Sequence, residues 1–184
     1  MTIKDQDDLI QGVKPPVSAS GAKHKPAPKD LTKTPSARSK ARRFALQAHY
    51  QIQLNDCSVA SVEEQFLQDH DMKRVDTEYF HELLSGTTVH RRELVALITP
   101  TLDRSFDSLD PIEKAILFIG CFELVHRIDV PYRVVINEGI ELARQLGPPR
   151  AISTLTPSLI GWLRITGPAN VAAKARLMVV TMRS

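Results

Sequence analysis

The chain has little of what most functional classes require. Only two cysteines, Cys57 and Cys121, stand in 184 residues. They are too few and too far apart for a disulfide framework or a cysteine-based zinc site, and they read as small buried hydrophobes. Aromatic residues make up 5% of the chain, so a core must be built mostly from aliphatic side chains. No apolar run approaches the ~20 residues that a membrane-spanning helix needs. The first residues, Met1-Thr2-Ile3-Lys4-Asp5, carry no signal-peptide apolar segment, which predicts a cytoplasmic protein. No phosphate-binding glycine loop, nucleophile elbow or histidine pair at metal-ligand spacing is found. The six histidines are scattered and read as solvated or capping groups, and Glu63, Glu64, Glu82 and Glu93 read as solvated helix faces. The expectation is therefore a binding protein, with no catalytic residue, no metal and no cofactor.

What is present falls into three zones. Residues 1–36 hold five prolines and six lysines with almost no large apolar residue after Val17, a composition that predicts a disordered basic arm. From about 37 to 150 apolar residues recur at three- and four-residue steps, with no period-two alternation to compete. Ala41, Phe44, Ala45, Ala48 and Ile52 form one face of a first helix. Val62, Phe66 and Leu67 mark a second. Val75, Tyr79, Phe80, Leu83 and Leu84 mark a third, which Ser85-Gly86 interrupts or ends. Leu94, Val95, Leu97 and Ile98 follow on a fourth, stopped before Pro100. Asp110-Pro111-Ile112-Glu113 is a strong helix start, combining an N-cap Asp, a first-turn Pro and a Glu at the third position. A final helix runs from Pro131, at its first position, to Gly147, read as a left-handed terminator. The expected architecture is all-α, a compact bundle of five to seven helices.

The third zone, 151–184, contains no Asp or Glu at all, although composition would put about four there. Something changes near position 150.

Charge distribution points to a partner. Arg38, Lys40, Arg42 and Arg43 place four cations in six residues at the start of the first helix, and no acid follows until Asp56. Cations at a helix N-terminus oppose the macrodipole, and no glutamate stands upstream to pair with them along the helix. That arrangement suits RNA phosphates, and Tyr50, two turns further on, offers either a stacking face for a base or a packing residue.

These residues carry a family resemblance. Arg38-x-Lys-Ala-Arg-Arg-x-Ala-Leu-Gln-Ala-His-Tyr50, Val62-Glu-x-Gln-Phe66-Leu, Val75-Asp-x-x-Tyr79-Phe-x-Glu-Leu-Leu-x-Gly86, Glu113-Lys-Ala-Ile-Leu and Asp129-Val-Pro-Tyr-Arg-Val-x-Ile-Asn-Glu138 resemble, in one colinear register over about 35–147, the NusB family of bacterial antitermination factors. The resemblance implies an all-helical RNA-binding fold. It also implies recognition of the boxA element of ribosomal RNA leader transcripts together with NusE, a small-subunit ribosomal protein, in an antitermination complex on RNA polymerase. A homodimer stands as an alternative state of the RNA-free chain. Position by position, Arg38, Lys40, Arg42 and Arg43 match the RNA-contacting segment, Tyr50 a tyrosine implicated in RNA binding, and Glu113 an acidic residue near the RNA and NusE surfaces. Ser39 and His49 depart from the family's usual Arg and Leu. Two other readings stay open at this level: the N-terminal domain of an rRNA cytosine methyltransferase, which the absence of a glycine-rich donor loop disfavours, and a helical scaffold whose basic segment is only surface.

After Arg150 the resemblance stops. The family continues with a His-Lys-Phe/Tyr-Val-Asn-Gly-Val-Leu-Asp helix. Codons for 151–164 exist whose neighbouring frame reads His-Lys-Tyr-Val-Asn-Ala-Val-Val-Asp-Arg-Val-Ala-Lys. The hypothesis is that a one-base frame shift replaced the last helix by an out-of-frame tail, 151–184, leaving the core short of cover. Resequencing the DNA across the codons for Gly147 to Leu155 decides it: a single clean frame with no family motif in the alternative frame rejects it.

Overall fold

The computed structural model describes residues 31–55, 57–153, 157–158 and 160–161. The predicted arm is therefore outside the described residues up to position 30, and so is most of the 151–184 tail. Among the described residues the fold is all-α, with six helices: α1 Pro35–Asn55, α2 Val59–Asp69, α3 Thr77–Val89, α4 Arg91–Ile98, α5 Pro111–His126 and α6 Tyr132–Leu146. Short 3-10 turns at Leu31–Lys33, Thr99–Thr101 and Phe106–Ser108 complete the order.

Side-chain caps open three of these helices. The Ser58 hydroxyl accepts from the Ser61 N–H at 3.2 Å and opens α2. Asp76 does the same for Tyr79 at 3.0 Å and opens α3. At α5 both halves of a capping box are made: Asp110 Oδ1 accepts from the Ile112 N–H at 2.8 Å, and Glu113 Oε2 accepts from the Asp110 N–H at 3.1 Å. Between them, these bonds satisfy donors that a helix start otherwise leaves unpaired.

Every residue of α5 from Ala115 to Val125 is buried, which makes it the central helix, enclosed all round and apolar there except for Glu123. Helices α1, α3, α4 and α6 pack directly on it, and α2 lies against α1 and α3. The expected aliphatic core is the one observed, with Leu46, Leu83, Leu84, Leu94, Ile116, Leu117 and Ile119 almost wholly enclosed beside the aromatic Tyr79 and Phe80.

Two glycines differ from expectation. Gly86 does not interrupt α3, which continues to Val89. A Cβ there would overlap the Phe122 ring of α5, so the glycine allows the two helices to approach closely. Gly147 is not left-handed but extended, at φ −81° and ψ 161°. A Cβ at this position would lie 2.7 Å from the Ala143 carbonyl oxygen and 2.8 Å from the Ala151 Cβ, so close approach again accounts for the glycine. Pro131 stands one position earlier than expected, as N-cap of α6. Ala151 is fully buried against the bundle, and the Ser158 hydroxyl donates to the Thr101 carbonyl at 3.4 Å.

Candidate nucleic-acid interface

Helix α1 has two unlike faces. Ala41, Arg42, Ala45, Leu46, Ala48 and His49 are buried, while Lys40, Arg43, Gln47 and Tyr50 lie along the outer side with Arg43 and Tyr50 exposed. At 100° per residue those four fall within one stripe, and at 1.5 Å rise they span about 15 Å of helix.

The four cations of the sequence motif therefore separate. Lys40 and Arg43 face outward, and among the described residues neither forms an ion pair. They line a shallow cleft between α1 and α6 together with Ser36, Ser39, Glu138, Glu141, Leu142 and Gln145. The two carboxylates of that cleft are engaged by other side chains. Glu138 accepts from the Ser39 hydroxyl at 2.8 Å and lies 3.5 Å from Arg42 Nη1, while Glu141 holds Arg144 at 2.6 Å. Among the described residues no carboxylate neutralises Lys40 or Arg43, and the Arg43 guanidinium lies over the Phe44 ring at 5.7 Å.

Arg38 is partly buried and already neutralised. Its Nε lies 3.5 Å from Asp76 and its Nη1 3.4 Å from Asp129, and its guanidinium sits over the Tyr79 ring at 4.9 Å. Asp129 in turn takes two bonds from Arg127, at 2.8 and 3.0 Å, which hold its carboxyl down to about 2. Arg127 also meets Glu82, so Glu82 is not simply a solvated acid.

Arg42 corrects the sequence expectation. It is 2% exposed and points into the bundle rather than toward solvent. Nε donates to both Glu123 oxygens at 2.9 and 3.1 Å, and Nη2 donates to Glu123 Oε1 at 2.7 Å and to the Tyr79 hydroxyl at 3.1 Å. The Tyr79 hydroxyl closes the ring of bonds onto the same carboxylate. Burial pushes the Glu123 carboxyl up from its ordinary value, and Arg42 pulls against that shift. A guanidinium whose bonds are spent on Glu123 is not available to an RNA phosphate. Glu113 is corrected too: it is 2% exposed and serves the capping box, not an outer surface.

Sequence reasoning missed Glu123, the buried partner, because it lies 81 residues from Arg42. A signal was present in the phase of α1. Arg42 shares its stripe with Ala45, Leu46 and His49, whereas Arg43 shares its own with Gln47 and Tyr50. His49 is also buried rather than solvated, its Nε2 2.7 Å from the Thr87 hydroxyl.

A model described as the NusB family matches residues 39–153. The chain is 57% identical over 114 residues to the transcription antitermination protein NusB of Alcanivorax borkumensis, covering 62% of this chain and 76% of that protein. Against the transcription antitermination protein NusB of Shewanella loihica the identity is 54% over 113 residues, covering 61% and 84%. Among solved structures, T. maritima NusB superposes with a TM-score of 0.64 at 20% identity, covering 78% of this chain and 97% of that one, a likeness of fold.

Proposed function

The chain belongs to the NusB family, and from that premise we propose that this transcription antitermination protein grips single-stranded RNA along the outward stripe of α1. The observation that carries the proposal is the separation of the basic segment into a buried, paired cation and two outward, unpaired ones. A cation needed only for packing is neutralised inside the fold, as Arg42 is. Lys40 and Arg43, in the second and third turns of α1, instead keep their charge on the outer face with no carboxylate paired to them among the described residues, so an anionic partner would neutralise them. Tyr50, 39% exposed, lies on the same stripe and gives a base a flat face on which to stack.

The RNA is the boxA element of ribosomal RNA leaders, bound with NusE in the complex that keeps RNA polymerase transcribing, and the protein acts in the cytoplasm. The family resemblance supports those assignments. The reading is one of binding and not of catalysis. Among the described residues no helix is long and apolar enough to cross a membrane.

The test is binding of the full-length chain to a short boxA-like RNA across salt concentrations. Each phosphate contact on a single strand contributes about −0.7 to the slope of log affinity against log salt. Replacing both Lys40 and Arg43 with Ala is expected to flatten that slope by about 1.4, while Tyr50→Ala weakens binding by about 1–3 kcal/mol at unchanged slope. An unchanged slope in the double variant rejects the α1 stripe as the RNA site.

A further inference from the structure

At the junction of α4 and α5, His90, Glu93 and His126 bring one ligand-type atom each to within 4.8 Å of one another. We propose that they form a binding site for a divalent transition cation of the zinc type, with two imidazoles and one carboxylate as ligands and water in the fourth position. Neither the family reading nor the α1 interface involves these residues.

Three observations carry the proposal. The first is spacing. His90 Nδ1 lies 2.9 Å from Glu93 Oε2, and His126 Nε2 lies 3.5 Å from that same oxygen. Ligands held at 2.0–2.2 Å around a tetrahedral ion are roughly 3.3–3.5 Å apart, so the cluster needs only small side-chain adjustments to close on a metal. The second is a nitrogen whose carboxylate neighbour, Glu93 Oε2, stands at the outer limit of hydrogen-bond distance. His126 Nε2 is shielded from solvent and has no hydrogen-bond partner, an arrangement that is costly unless the nitrogen's lone pair or proton is used. The third is rigidity. The two imidazole rings lie 4.1 Å apart, and Phe122 stacks on His126 at 5.1 Å, which restrains the donors before any ion arrives.

The surrounding charge is compatible. His126 lies in the last turn of α5, where helix carbonyls favour a cation. The neighbouring Arg91 guanidinium is turned onto the Phe118 ring at 5.3 Å, which engages it away from the ligands. Two histidines and a glutamate are the donor set that holds zinc with one position open. Bound there, the ion would tie the start of α4 to the end of α5. The two histidines are 36 positions apart in the chain, so no sequence spacing announces them.

The experiment is titration of the full-length chain with Co2+, read by its visible absorption and followed by displacement with Zn2+, alongside thermal unfolding at rising Zn2+. The expected result is one equivalent bound with the intense bands of tetrahedral cobalt, displaced by zinc, and a melting temperature that climbs with zinc concentration. His126→Gln and Glu93→Gln should each weaken binding by more than the roughly 10–100-fold that loss of an outer-shell partner costs. His81→Gln removes a separate exposed pair, in which His81 Nδ1 lies 2.6 Å from Glu63, and should leave the affinity unchanged. If His126→Gln fails to fold, His90→Asn at the half-exposed ligand takes its place. Binding retained in the ligand variants, binding lost in His81→Gln, or no saturable binding in the native chain overturns the site.

Discussion

Glu123→Ala lowers the stability of the domain by about 3–5 kcal/mol, the cost of leaving a buried charge without its partner. That is a large share of the ~5–15 kcal/mol that holds an ordinary domain together. Arg42 is the reason: at 2% exposure it has no water to turn to, and among the described residues Glu138, at 3.5 Å, is the only other carboxylate that pairs with it. The damage is also architectural, because the Arg42–Glu123–Tyr79 ring of bonds joins α1, α5 and α3 at one point. In a Tyr79→Phe background, which leaves no buried hydroxyl stranded, Arg42→Met combined with Glu123→Leu recovers most of the loss, since a well-packed apolar pair commonly matches or exceeds a buried ion pair. Urea unfolding of the two singles and the double gives the coupling directly. A double variant as unstable as the single would mean that the pair is itself a net source of stability. The RNA interface proposed on the outer stripe does not use this pair: at a temperature where Arg42→Ala is folded, its salt slope should match that of the native chain.

The same residue marks the limit of what local sequence pattern encodes. What depends on neighbours in the chain was legible. Asp110-Pro111-Ile112-Glu113 announced α5 to the residue, and the Ala41–Ala45–Ala48 spacing announced the buried face of α1. Glu113 carried two readings, a capping residue by local pattern and a partner surface by family position, and the local one describes its bonds. Pairs made across the fold were not legible. Glu123 reads from the sequence as a polar interruption of an apolar helix, and only the fold brings it to Arg42. Glycines posed a related difficulty. Local pattern makes Gly86 a helix breaker and Gly147 a left-handed terminator, whereas the approach of Phe122 and of Ala151 is what requires them. The outward stripe was half legible, since four cations were visible but the one turned inward was not separated from the two turned out.

His49 makes the domain lose stability in mild acid. It is enclosed in the core, and burial together with the nearby Arg91 charge lowers its pKa from 6.5 to about 4. Between those values the unfolded chain takes up a proton that the folded chain refuses, so stability is full above pH 6.5 and falls as pH drops toward 4. At about 1.4 kcal/mol per pH unit the loss reaches roughly 2 kcal/mol at pH 5 and about 3 kcal/mol near pH 4. His126 is also held below its ordinary value, by burial and by His90, and adds to the same trend, while the raised Glu123 opposes it. His49→Leu isolates the one contribution. The Thr87 hydroxyl keeps its bonds to the Leu83 and Leu84 carbonyls, at 2.6 and 3.1 Å, so the change strands no polar group. Measured against the native chain by urea unfolding, the variant should gain about 2 kcal/mol on passing from pH 7 to pH 5, because every other titrating group cancels in the comparison. A difference that stays constant over that range would show that His49 accepts its proton inside the fold.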